Sequence, residues 1–206
     1  MTLNRAALLV ALHRYLAQAR SLEVRDGVSE LEIQKIAYLL QVLGQPSRLT
    51  FSRGRYGPYA EQLHHVLQEL EGHYLVGYGD RSARVTDLQP IRLMEGTIEK
   101  ASQWLAENGS GADNRIAALM ALVQGFETPY SLELLATVHY AAHQRPAVAA
   151  AGEIAERVAS WNLRKARLFT PRHVSIAIDR LKENDLLPRQ GNVMLVCHER
   201  REERPM

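Results

Sequence analysis

The stretch 29-SELEIQKIAYLLQVLG-44 sets the fold class. Ser29 followed by Glu32 three residues on is the capping-box pattern, in which each side chain satisfies the other's free backbone N–H at a helix start. Ile33, Ile36, Ala37 and Leu40 then recur at helical spacing, and Gly44 stands where a helix closes. Helical periodicity also dominates on either side. Residues 3–20 place Leu9, Leu12 and Leu16 on one face. Leu63, Val66, Leu67 and Leu70 stand at i, i+3, i+4 and i+7. Pro58 is read as the opening of that helix, because its missing N–H has no intrahelical partner to lose, and Gly72 as its end. Further helices are predicted over about 95–107, 113–124, 131–143, 147–161 and 171–186. Strands are few: 48–51, a hairpin of HYLVGYG with SARVTDL around Gly79-Asp80, and the terminal NVMLVC. The predicted fold is therefore mainly α, a compact multi-helix domain of two small lobes with a minor antiparallel β-hairpin element. Lobe one covers about 1–108 and lobe two about 113–198, with the 108–113 segment as linker and 199–206 as a frayed tail.

The 206 residues carry 25 Lys+Arg against 23 Asp+Glu, a net charge of +2. That balance does not single out a nucleic-acid binder. No apolar run reaches the ~18 residues that a membrane span needs. The N-terminal apolar segment contains charges and lacks a small-residue cleavage site, so it reads as a helix rather than a signal peptide. Cys197 stands alone, which excludes an intrachain disulfide and points to a reducing cytoplasm.

Candidate chemistry concentrates in 54-GRYGPYAEQLHHVLQELEGHYLVGYGD-80, with five glycines, four tyrosines and three histidines. His64 and His65 are adjacent on a helix and diverge by about 100°, so they do not converge on one metal. Glu61, His65 and Gln68 line the polar face opposite the leucines. Glu69 and Glu71 with His73 have acid–base composition but sit at a helix end, where such charges are common without catalysis. His139 and His143 have a metal-ligand spacing. However, Tyr140 stands where a zinc-protease helix needs its Glu, and no third ligand is evident. The glycine-rich segments lack the Gly-Lys-Ser/Thr ending of a phosphate loop, and no nucleophile-elbow serine appears. These residues give no catalytic, cofactor-binding or metal-binding set, and the expectation is that the chain is not an enzyme. In the second lobe, Arg164, Lys165, Arg167, Arg172 and Arg180 would supply phosphate contacts to a winged helix. The connection of about nine residues before helix 171–186 is too long for the turn of that motif.

Four segments in order, ELEIQKIAYLLQVLGQPSRLTF, the 54–80 stretch, GFETPYSLELLATVHYAA and WNLRKARLFTPRHVSIAIDRL, closely resemble the C-terminal toxin-binding domain of DarG antitoxins. The likeness covers about residues 5–187, and the early segment is distantly similar to SocA-like (Panacea) antitoxin domains. The family more often has Gly and Trp where this chain has Ser131 and Tyr140. The resemblance implies a cytoplasmic, non-catalytic antitoxin domain that blocks a DarT-type DNA ADP-ribosyltransferase by local DNA mimicry. It implies no ADP-ribosyl hydrolase activity, because the family's macrodomain is not in this sequence; in a longer antitoxin that macrodomain would be a further partner. The implied toxin-binding residues are Arg55, Tyr56, Tyr59, Glu61, His65, Glu69, Glu71, His73, Asp80, Glu127, Tyr130 and Glu133. Among them Glu69, Glu71, Asp80, Glu127 and Glu133 are the candidates for an acidic mimic patch. Tyr56, Gly57, Pro58 and Tyr59 are the candidates for a shaped loop. The alternatives are a DNA-binding transcriptional regulator that uses the basic second lobe, and a small metal hydrolase at His139 and His143.

Overall fold

The computed structural model describes residues 1–20, 26–79, 90–108 and 111–188. It divides into two units, 1–137 and 138–206. The described residues are mainly helical, with two small antiparallel strand pairs. The 108–113 segment joins two helices of the first unit, and the division between units falls inside a later helix.

In the first unit α1 (Leu3–Ala19) starts at Thr2, whose hydroxyl accepts from the Arg5 N–H. The helix packs against α2 (Glu30–Val42), α4 (Thr97–Asn108) and α5 (Ala112–Val123). The capping box at Ser29 and Glu32 is present as read. The apolar stripe of α2 understates its burial, since all ten residues from Leu31 to Leu40 are buried, including Glu32, Gln34 and Lys35. A helix enclosed on every side must find partners for its polar side chains within the protein. Those partners shape the next segment.

Lys35 Nζ donates to the Pro58 carbonyl at 2.8 Å. The Gln34 amide takes both backbone groups of Ala60, at 3.1 and 3.0 Å. With its backbone held by α2, the 57–60 segment stays extended. Pro58 therefore lies in a strand instead of opening a helix, and α3 (Gln62–Leu70) begins later. The expected 48–51 strand is likewise displaced to β1 (Ser52–Gly54), which pairs with β2 (Gly57–Tyr59) in the register Ser52↔Tyr59, Arg53↔Pro58 and Gly54↔Gly57. Arg55 and Tyr56 form the hairpin tip. β3 (Leu75–Val76) pairs antiparallel with β4 (Arg92–Leu93). The expected partner of β3, SARVTDL, lies outside the described residues, as do the terminal NVMLVC segment and the tail.

α6 (Pro129–His143) contains the division between the units. In the second unit α7 (Ala151–Ala159) is shorter than the predicted 147–161 helix. The nine-residue connection that follows is not a loop. It holds α8 (Leu163–Leu168), so only Phe169 and Thr170 separate α8 from α9 (Pro171–Glu183). Asn162 caps α8, its side chain accepting from the Lys165 N–H at 2.9 Å. Lys165 is fully buried, its Nζ 4.8 Å from the Phe169 ring centroid and 5.5 Å from the Trp161 ring, so it is not the phosphate contact expected of it. No helix among the described residues is long and apolar enough to cross a membrane.

Candidate functional site

The hairpin and α3 bring several ionisable and hydroxyl side chains together in the first unit. On α3 the buried face runs through Leu63, His64, Leu67 and Leu70, and Val66 is half-exposed. The face is thus rotated from the expected stripe, and it brings His64 inward to 5% exposure. The His64 ring contacts Tyr59 Oη through Nε2 and Tyr78 Oη through Nδ1. Glu30, in the first turn of α2, places Oε1 3.3 Å from His64 Nδ1. A neutral imidazole has one N–H. With that proton on Nδ1 the Tyr78 hydroxyl accepts it and the Tyr59 hydroxyl donates to Nε2, with the Glu30 carboxylate beside the ring. Carboxylate, imidazole and two phenols are thus gathered in one cluster. Tyr59 and Glu30 are its less buried members.

The sequence passed over His64, Glu30 and Tyr78. The signal for His64 was its place beside Leu63 and Leu67 on the helical wheel, which is legible only once the face is fixed. The expected residues scatter. Arg55 is exposed and Tyr56 half-buried at the hairpin tip, with the guanidinium 5.5 Å from the Tyr56 ring centroid. Glu61, His65 and His73 are exposed, and Tyr130 is half-buried. Asp80 lies outside the described residues.

The acidic set does not form one surface patch. Glu69 is exposed but paired with Arg5. Glu71 accepts from the Gly77 and Tyr78 N–H groups at 3.1 and 3.2 Å, which folds the chain after α3. Glu127 and Glu133 are buried, at 6% and 1% exposure, and Glu127 takes a 2.7 Å bond from the Gln18 amide. Carboxylates bound into the core in this way cannot present charge to a partner.

A cleft of about 370 Å³ elsewhere in the first unit is bounded by His13, Leu16, Ala17, Arg20, Asp26, Arg92 and Leu93, with Arg92 and Asp26 3.5 Å apart across it. In the second unit the rings of His139 and His143 stack, with centroids 4.2 Å apart and planes 20° apart, and His143 Nδ1 bonds the His139 carbonyl at 2.9 Å. Stacked rings present their faces to each other instead of aiming nitrogens at a shared ion. No group of three or more His, Cys, Asp and Glu with metal-binding geometry occurs among the described residues.

Burial pushes the His139 pKa down from 6.5 to about 3, and the neighbouring His143 charge adds to the shift. The folded ring is therefore neutral while the unfolded one gains a proton below pH 6.5. Stability is full above about pH 6.5 and is lost as the pH falls towards 3, by a total on the order of 4 kcal/mol. Denaturant titrations at stepped pH should show this slope in the native protein and a flatter one in His139→Gln. Equal slopes would remove His139 as the cause.

No family model matches the chain. Three curated relatives do, each named DNA ADP-ribosyl glycohydrolase. Those of Mycobacterium tuberculosis and Mycobacterium bovis are 39% identical over 88% of this chain and 53% of their own length. That of Thermus aquaticus is 41% identical over 91% of this chain and 48% of its own. The chain thus spans about half the length of the curated relatives it matches. These names overturn the expected reading. They describe an enzyme acting on modified DNA, not a non-catalytic DarG antitoxin domain with a DarT-type toxin as partner, and not an inhibitor working by DNA mimicry. The expectation that the chain is not an enzyme rested on the absence of familiar linear motifs.

Proposed function

We propose that the chain takes part in the enzymatic removal of ADP-ribose from DNA, as the counterpart of the matched half of these glycohydrolases. The observation that carries this is the extent of the likeness, 39–41% identity across about nine-tenths of the chain. Hydrolysis of a glycosidic bond requires a donor that protonates the departing group, and a carboxylate that activates water or stabilises the cationic sugar. Among the described residues Glu30 and His64 supply that pair, with Tyr59 bonded to the second ring nitrogen. Water adds to the anomeric carbon, the bond to the base breaks, and the base leaves with the proton. The same reading locates the chain in the bacterial cytoplasm, where the DNA is.

An ADP-ribosylated oligonucleotide incubated with the chain, and separately with the full-length Mycobacterium tuberculosis relative, tests the assignment by the ADP-ribose released. The chain alone should release it. Glu30→Gln and Tyr59→Phe should each slow release by roughly 100-fold, the lower range for a lost acid–base group, with unfolding midpoints near the parent's. A folded chain that releases nothing, beside a relative that does, would take the chemistry away from this region.

A further inference from the structure

We propose that α8 and α9 form a docking face for duplex DNA, with α9 in the major groove and α8 on the flanking phosphates. The second unit builds a three-helix arrangement in which α7 packs on both α8 and α9. Ile154, Val158, Trp161, Phe169, Val174 and Leu181 fill it. The two-residue break between α8 and α9 is fixed at both sides. Phe169 is buried, and the Thr170 hydroxyl accepts from the His173 N–H at 3.3 Å and starts α9. A short helix, a tight turn and a longer helix braced by a third are the parts of a helix-turn-helix. In that motif the first helix crosses the backbone and the N-terminal half of the second reads base edges.

The charge distribution fits that docking. No acidic residue occurs between Glu156 and Asp179. Arg157 is committed to the carbonyls of Ala141, Gln144 and Pro146, and Lys165 is buried. That leaves Arg167 and Arg172, both exposed, to face phosphates. The C-terminal half of α9 neutralises itself, with Arg180 3.2 Å from Glu183 and Lys182 4.0 Å from Asp179. Within α8 and α9 the positive charge not offset by an acidic neighbour therefore falls where the motif meets DNA. The outer face of α9 also carries Ser175 and Ile176, the latter 50% exposed, and Leu163 of α8 is 77% exposed. An exposed isoleucine at that position suits the thymine methyl in the major groove. The proposal rests on the glycohydrolase reading only in taking DNA as the polymer handled, so its test uses unmodified DNA.

The test is binding of the full chain to a mixed-sequence duplex of about 20 base pairs, and to the same single strand, by fluorescence anisotropy across a salt series. Two phosphate contacts predict that log affinity falls with log salt at a slope of about −1.8. Arg167→Glu with Arg172→Glu should weaken duplex binding more than tenfold and lower the slope by about two. Lys100→Glu with Lys182→Glu, the same charge change on other exposed positions, should leave most of the binding. Ile176→Ala should weaken binding several-fold at unchanged slope. Equal binding by the two double variants, tighter binding to the single strand, or no duplex binding at 50 mM salt (an order-of-magnitude choice for visible phosphate contacts) would each overturn it. None of these results depends on ADP-ribose release.

Discussion

Glu32→Ala is expected to destabilise the chain by about 3–5 kcal/mol, the range for breaking a buried charged network from one side. Glu32 is completely buried. Its Oε1 accepts from the Tyr15 hydroxyl at 2.7 Å, and its Oε2 accepts from the Ser29 N–H at 2.8 Å and the Ser29 hydroxyl at 2.7 Å. One carboxylate thus ties α1 to the start of α2 and closes the capping box. Alanine removes all three bonds and leaves the Tyr15 hydroxyl facing a cavity in the core, since Tyr15 is itself fully buried. At roughly 2–4 °C per kcal/mol for a chain of this size, the midpoint should fall by about 10 °C. Tyr15→Phe is the informative partner. It keeps the ring and removes one of the three bonds, so it should cost only about 1 kcal/mol. In the Glu32→Ala background, where this bond is already absent, the same change should cost less. Additive effects of the two substitutions in thermal unfolding would mean that the carboxylate and the phenol act independently.

The sequence disclosed what local rules control and hid what tertiary partners control. The capping box at Ser29 was legible because both halves of it lie within four residues. The mainly helical class followed from periodicity in α1, α2 and α3. Pro58 was misread because its helix-opening preference is weak beside three hydrogen bonds from Gln34 and Lys35, more than twenty residues away. α8 was missed because six residues, LRKARL, are too few for a period to declare itself. Its stability comes from the Asn162 cap and from packing Lys165 against two rings. The candidate site was the least legible part. Glu30, Tyr59, His64 and Tyr78 come from the start of one helix, a strand, the first turn of another helix and an irregular segment. The glutamates favoured instead by their place in the motifs, Glu127 and Glu133, proved to be core residues. The dense 54–80 stretch holds three of these four residues, and two of them, His64 and Tyr78, face inward.

Gly57→Ala should cost about 3 kcal/mol, the sum of about 1 kcal/mol of backbone strain and a steric conflict of about 2 kcal/mol. Gly57 has φ +95°, a conformation that an L side chain adopts only at a cost. A Cβ there would also lie 2.6 Å from Thr137 Oγ1 and 3.6 Å from Lys35 Cε. Thr137 and Lys35 are both buried, so neither has room to retreat. Gly72 separates the two terms: its φ is +74° and a Cβ would meet nothing within 4 Å, so Gly72→Ala carries strain alone and should cost about 1 kcal/mol. Gly57→Ala with Thr137→Ala should cost less than the sum of the two single changes, because removing Oγ1 relieves the overlap. The consequence reaches the site. Tyr59, two residues on in the same strand, holds the Nε2 side of His64. Pushing β2 off Lys35 and Gln34 moves that hydroxyl, so release of ADP-ribose by this variant should fall even below its unfolding midpoint. A Gly57→Ala midpoint matching that of Gly72→Ala would mean that the hairpin is not pressed against the core. In that event the placement of Tyr59 beside His64 could not depend on it.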